Sequence, residues 1–145
     1  MYSTSIKNNR YPVQCVIVFG RIRVAKFIID TGAMYTCCTY KALGNSMQKG
    51  ELQDCETKLI GGYVKEVPVK FYKCHLKQFT IGNIDMREQD IWITFDKRVT
   101  DTVLGMDILQ QVIFIANPYN KRLYFCKDED DYNKNFELEL VHDNG

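Results

Sequence analysis

Proline is scarce in this chain, with three residues in 145, and no low-complexity stretch or repeat is present. With 46% hydrophobic residues, eight Phe and nine Tyr, the sequence excludes collagen-like and disordered classes. An excess of one charge is missing too. Nineteen Lys and Arg oppose eighteen Asp and Glu for a formal net charge of +1, which offers no strong field for nucleic acid or an anionic membrane. Long apolar runs are also lacking: the opening MYSTSIKNNRYP is polar, and the apolar stretches are short ones such as CVIVFG and VIFIA. With no secretory core and no membrane span, the sequence reads as a soluble, cytoplasmic protein with neither nucleic acid nor membrane as partner. The six cysteines then read as reduced thiols rather than a disulfide framework.

What remains is enough chain for one domain with a real core. Charge is uneven along it: residues 127–145 carry seven acids and two bases, a net −5, leaving +6 on residues 1–126. The plain reading is a solvated acidic terminus; the opposed charges also allow it to fold back onto the body.

Val13 to Asp30 is rich in Val, Ile and Phe, which predicts two strands joined by a tight turn at Phe19-Gly20-Arg21. Ile22, Val24, Ile28 and Asp30 share one parity, so Asp30 is expected on the same face as apolar residues, at the end of a buried strand. A short helical turn is expected in Thr39 to Leu43. Further strands are expected near Thr57 to Ile60, Tyr63 to Tyr72, His75 to Ile81 and Asp90 to Phe95, with turns at Gly61-Gly62 and Gly82-Asn83. Val103-Leu104 reads as a strand end leading through Gly105 into a brief helix. Two last strands, Val112 to Ala116 and Arg122 to Cys126, flank Asn117-Pro118-Tyr119-Asn120. The expected class is all-β, with one or two short helices and a closed barrel.

Phe27-Ile28-Ile29-Asp30-Thr31-Gly32-Ala33 resembles the active-site signature of aspartic peptidases. A hairpin before it, a Gly-Gly pair about thirty residues later, and Val103-Leu104-Gly105-Met106-Asp107-Ile108-Leu109 near the end extend the likeness. In that order they resemble the retropepsin-like family, the single-domain relatives of retroviral proteases, over roughly residues 13–126. The resemblance implies an acid-protease-like barrel and an aspartic endopeptidase that needs no metal or organic cofactor. One carboxylate takes a proton from water while a second, protonated carboxyl donates to the peptide carbonyl. In aspartic proteases generally the two acids share a proton because close carboxyls cannot both ionise cheaply.

This chain has one Asp-Thr-Gly, so the resemblance implies a two-fold homodimer with one Asp30 from each subunit, acting on a peptide or protein substrate. It implies that Thr31, Gly32 and Ala33 support the catalytic loop, with Thr31 bonded to the partner's loop. Gly61 and Gly62 match a flap that closes over substrate. Leu104 and Gly105 match structural support, as does Asp107. Met34 and Tyr35 depart from the pattern, standing where many relatives carry Ser or Asp. Residues 1–12 are assigned as an N-terminal segment and candidate dimer contact, 13–126 as the peptidase domain, and 127–145 as an acidic tail. In that tail Phe136, Leu138 and Leu140 alternate as in a terminal strand, a second candidate for dimerisation.

Two readings compete. A non-catalytic dimeric module would keep the same groove and hold an extended peptide; the intact Asp-Thr-Gly argues for catalysis, and Met34 argues mildly against an ordinary site. A cysteine-based metal or redox protein has less to stand on. Cys15, Cys37, Cys38, Cys55, Cys74 and Cys126 are scattered without zinc-ligand spacing, and His75 and His142 cannot be paired with any of them from sequence.

Overall fold

Alternating apolar residues build the longest ladder, a hairpin of β2 (Pro12–Phe19) and β3 (Arg21–Ile29) in continuous antiparallel register from Pro12↔Ile28 to Phe19↔Arg21. The computed structural model describes residues 1–7, 10–19, 21–43, 52 and 54–137. Within them the remaining strands are β1 (Tyr2–Ser5), β4 (Cys37–Thr39), β5 (Thr57–Val64), β6 (Val67–Leu76), β7 (Gln78–Ile81), β8 (Ile84–Asp85), β9 (Gln89–Thr94), β10 (Val103–Leu104), β11 (Ile113–Asn117) and β12 (Arg122–Cys126). Helical structure is short: a 3-10 turn at Lys41–Leu43, α1 (Met106–Leu109), α2 (Glu129–Tyr132) and a wide turn at Asn133–Glu137. The chain is thus mainly β, as expected.

Nine strands form one mixed sheet in the order β5-β6-β9-β4-β10-β3-β2-β7-β8, and β1-β12-β11 form a second. The expected closed barrel is not found among the described residues. The ladder ends at β5 on one side and at β8 on the other. β8 is two residues long, so it offers little edge to pair, and the terminal strands form their own sheet instead of bridging the gap. What joins the two halves is a shared core. Val13, Cys15 and Ile17 of β2, Phe27 of β3 and Phe79 of β7 pack in one cluster with Cys74 and Leu76 of β6 and Ile91 and Ile93 of β9. Each such side chain contributes about 1.5–3 kcal/mol when fully buried. A smaller cluster of Cys37, Val69, Phe71, Trp92, Val99 and Val103 lies on the other face of the central strands. Hence adjacent Cys37 and Cys38 are both buried, each in a different core.

Three local expectations change. On β3 the buried face is Arg23, Ala25, Phe27 and Ile29, while Ile22 and Val24 are exposed. Asp30 therefore follows the open face, where its carboxylate keeps contact with water. Gly61 and Gly62 do not form a turn: they lie inside β5, where the pairing with β6 shifts register between Ile60 and Val64, and the chain reverses at Lys65-Glu66. The pairs Thr57↔Tyr72 through Ile60↔Val69 run up to the glycines and Val64↔Val67 resumes beyond them, with Gly62 at φ +94° in the bulge between. Phe136 and Glu137 are helical, not extended. Asp128 caps α2 by accepting from the Asp131 N–H, and the ring of Phe136 stacks on Tyr132, four residues back. Leu138 and Leu140 lie outside the described residues.

The terminal segments are joined to each other within the chain. β1 pairs along its length with β12, and the N-terminal amine reaches Asp131 at 3.2 Å. Tyr2 lies over Gly82 so closely that any Cβ there would fall 2.2 Å from its ring.

Candidate active site

Strand order builds the site. β10 inserts between β3 and β4, so the chain leaving β3 at Ile29 must cross the end of β10 to reach Cys37. That crossing is the loop Asp30 to Thr36. Its path is set by backbone bonds: Asp30 N–H donates to Leu104 O at 3.1 Å, Ala33 N–H to Asp30 O at 3.1 Å, and Met106 N–H to Ala33 O at 2.8 Å. Gly105 lies directly beneath, where a Cβ would stand 2.5 Å from Tyr35 O and 3.0 Å from Ala33 O, so only glycine fits.

Asp107 locks this support. Its carboxylate accepts from Thr36 N–H at 3.0 Å, from the Thr36 hydroxyl at 2.7 Å and from Ile108 N–H at 2.8 Å. The Thr36 hydroxyl in turn accepts from Gly105 N–H at 3.0 Å. Sequence reading placed Leu104, Gly105 and Asp107 together as support but gave no sign of Thr36, whose bond to Asp107 spans 71 residues.

Asp30 is held far more lightly. It is exposed, and its Oδ1 accepts from Gly32 N–H at 2.9 Å. Thr31, at the crest of the loop, is exposed, and its hydroxyl makes no hydrogen bond among the described residues. Ala33 is half-buried against the smaller core, and Met34 is 70% exposed.

Asp30, Gly32, Ala33 and Met34 floor a cleft of about 560 Å³. One wall is the β5 segment Ile60, Gly61, Gly62 and Tyr63; the other is Val99, Thr100, Asp101 and Val103, with Tyr35 and Cys37 between. The glycine pair thus does face Asp30 across the cleft, although the hairpin tip lies beyond it. Lys58 of β5 donates to the Tyr35 hydroxyl at 2.7 Å, with its ammonium 4.3 Å from the centre of the Tyr35 ring. This pins the base of the hairpin to the Asp30 loop.

Tyr63, Cys37 and Asp101 carried no local signal in the sequence. The Cys37 thiol is pushed up to about 11, chiefly by burial, against a smaller opposing effect of its hydrogen bond with Tyr63, so it stays neutral. Burial, Cys37 and the charges of Asp30 and Asp101 together push the Tyr63 hydroxyl up. Cys38, deep in the main core, is pushed up to about 12 by burial. Five of the six cysteines are buried and Cys55 is half-buried, and none of them forms a disulfide. His75 is exposed and bonded to Asp90 at 2.8 Å, away from the cleft lining. Among the described residues no group of His, Cys, Asp and Glu is arranged to hold a metal, and no helix is long and apolar enough to cross a membrane.

Comparison with known proteins agrees with the motif and the topology. No curated protein sequence matches the chain. Among solved structures, a retropepsin-like aspartic protease from Rickettsia conorii is similar at a TM-score of 0.59 and 17% identity, over 84% of this chain and 95% of that one. Residues 13–108, which run from the first buried residue of β2 into α1, match the family described as aspartyl protease. The chain belongs to the aspartyl protease family, and its fold is similar to that of a retropepsin-like member.

Proposed function

We propose that the chain is a homodimeric aspartic endopeptidase in which two Asp30 carboxyls, one per subunit, activate a water molecule for attack on a peptide bond. The observation that carries this reading is the state of Asp30: a water-exposed carboxylate at the floor of a hairpin-covered cleft, committed to a single hydrogen bond within its own chain. The other acid among the described lining residues, Asp101, is paired with Arg10 at 3.0 Å and belongs to the wall. A second acid at the floor must therefore come from a second copy, and a two-fold axis through the loop supplies it.

In this arrangement one Asp30 is ionised and takes a proton from water, while the other, protonated, donates to the carbonyl oxygen. The Gly32 N–H holds Oδ1 of its own Asp30 in orientation. The unbonded Thr31 hydroxyl is free to bond the partner's loop, bracing the two carboxyls against each other. Gly61 and Gly62 carry no side chain to obstruct an extended peptide, so β5 can approach it closely by backbone. No metal or organic cofactor enters the reaction.

The test is cleavage of a diverse peptide library from about pH 4 to pH 7, where a proton-sharing pair operates, by the native protein and by Asp30→Asn. Cleavage that disappears in the variant supports the reading. Cleavage that survives in Asp30→Asn contradicts it, and a folded, dimeric, inactive native protein moves the chain to a peptide-binding role.

A further inference from the structure

The cleft is acidic beyond what hydrolysis requires. Among the described residues that line it, only Asp30 and Asp101 carry charge, and both are negative. Asp101 lines the cleft with Val99, Val103 and Tyr63 of β5, whose hydroxyl feels its charge. Lys58, the cation nearest the cleft on β5, is turned onto the Tyr35 hydroxyl and the Tyr35 and Trp92 rings and is not part of the lining.

The Asp101 carboxylate already seats a guanidinium. Arg10, from the segment before β2, places Nη2 3.0 Å from Oδ1, with 52% of its side chain and 50% of that of Asp101 exposed to solvent. An ion pair this open is held weakly and exchanges readily with another cation. Beside it the half-buried Tyr63 ring, backed by the buried Val99 and Val103, supplies an apolar surface for the aliphatic stem of a long basic side chain.

Building on the peptidase reading, we propose that Asp101 selects substrates with Lys or Arg beside the scissile bond. The incoming cation takes the place of Arg10. Each subunit of a two-fold dimer presents one Asp101, so the preference applies on both sides of the bond. Arg10 acts as a built-in competitor that lowers affinity for basic peptides without blocking the cleft.

Matched peptides carrying Lys or norleucine on either side of the cut separate this claim from the reading beneath it. The native protein is expected to favour Lys about fivefold or more in kcat/KM, with the preference shrinking as salt rises. Asp101→Asn should abolish the preference while still cutting the norleucine peptide, and Arg10→Ala should increase it. Equal cleavage of the two peptides, or a preference that persists in Asp101→Asn, overturns the role of Asp101 and leaves the peptidase intact. Binding of the same peptides to Asp30→Asn, read by fluorescence anisotropy, decides the claim without turnover. Tighter binding of the Lys peptide that vanishes in the Asp30→Asn, Asp101→Asn double variant supports it even if the native protein cuts nothing. Equal binding overturns it.

Discussion

Asp30 and Asp107 are the same residue type on two adjoining segments, and they are used in opposite ways. Asp107 accepts three hydrogen bonds, two of them from Thr36, and so ties α1 to the far end of the crossing loop. Asp30 accepts one and remains open to water. A carboxylate whose lone pairs are filled by its own chain stabilises a fold; one left open above a rigid support is available for chemistry. The support matters to the open one, because the backbone bonds from Asp30 N–H to Leu104 O and from Met106 N–H to Ala33 O hold the loop still.

The largest expected effects come from exchanging the two acids for their amides. Asp30→Asn should lower cleavage at least about 100-fold, the scale of general acid–base catalysis, and leave the melting temperature unchanged. Asp107→Asn should do the reverse, costing about 1–3 kcal/mol in denaturant unfolding because one acceptor oxygen of this half-buried group becomes an amide nitrogen that cannot accept. An Asp107→Asn protein as stable as the native one would break the comparison.

The two glycines extend it. Gly105→Ala forces a Cβ against fixed backbone at 2.5 Å and should destabilise by about 1–3 kcal/mol or more in thermal or chemical unfolding. Gly32→Ala meets the Asp30 carboxylate at 3.2 Å instead, so it should lower kcat with little loss of stability.

Hydroxyls come next in size. Thr36→Val removes the bridge between Gly105 and Asp107 and should cost about 1–2 kcal/mol in unfolding. Thr31→Val should change the subunit's own unfolding by less than about 0.5 kcal/mol and show instead as a weaker dimer by sedimentation. The smallest effect concerns the thiols. Cys37 and Cys38, pushed up to about 11 and about 12 by burial, should resist iodoacetamide at pH 8 in the folded protein, as read by mass spectrometry. Rapid modification of Cys37 would show a reactive thiol in the cleft and revive a cysteine-based reading.

What was legible in the sequence was what local pattern determines. Alternation marked β2 and β3, and Asn117-Pro118-Tyr119-Asn120 marked the reversal between β11 and β12. Asp-Thr-Gly and the Leu104-Gly105 pair marked the two halves of the loop support. What was not legible depends on pairing between distant segments. Gly61-Gly62 has turn chemistry, yet β6 pairs on both sides of it and moves the reversal to Lys65-Glu66. The parity of β3 was legible, but which parity is buried depends on Phe79 packing against Phe27. Tyr63, Cys37 and Asp101 come to one cleft only because β5, β6, β9, β4 and β10 pair in that order, which no local spacing announces. Phe136 alternates like a strand residue, but the Asp128 cap and the Tyr132 ring draw it into a helical turn.

The central claim is that one open Asp30 is half of a site. Mixing native protein with Asp30→Asn, at fixed native concentration and after exchange of subunits, tests it directly. If the site is shared, cleavage per native chain falls to about half at equal amounts and about a quarter with a threefold excess of variant, since mixed dimers lack one carboxylate. Cleavage per native chain that stays constant across the series would show that each chain works alone.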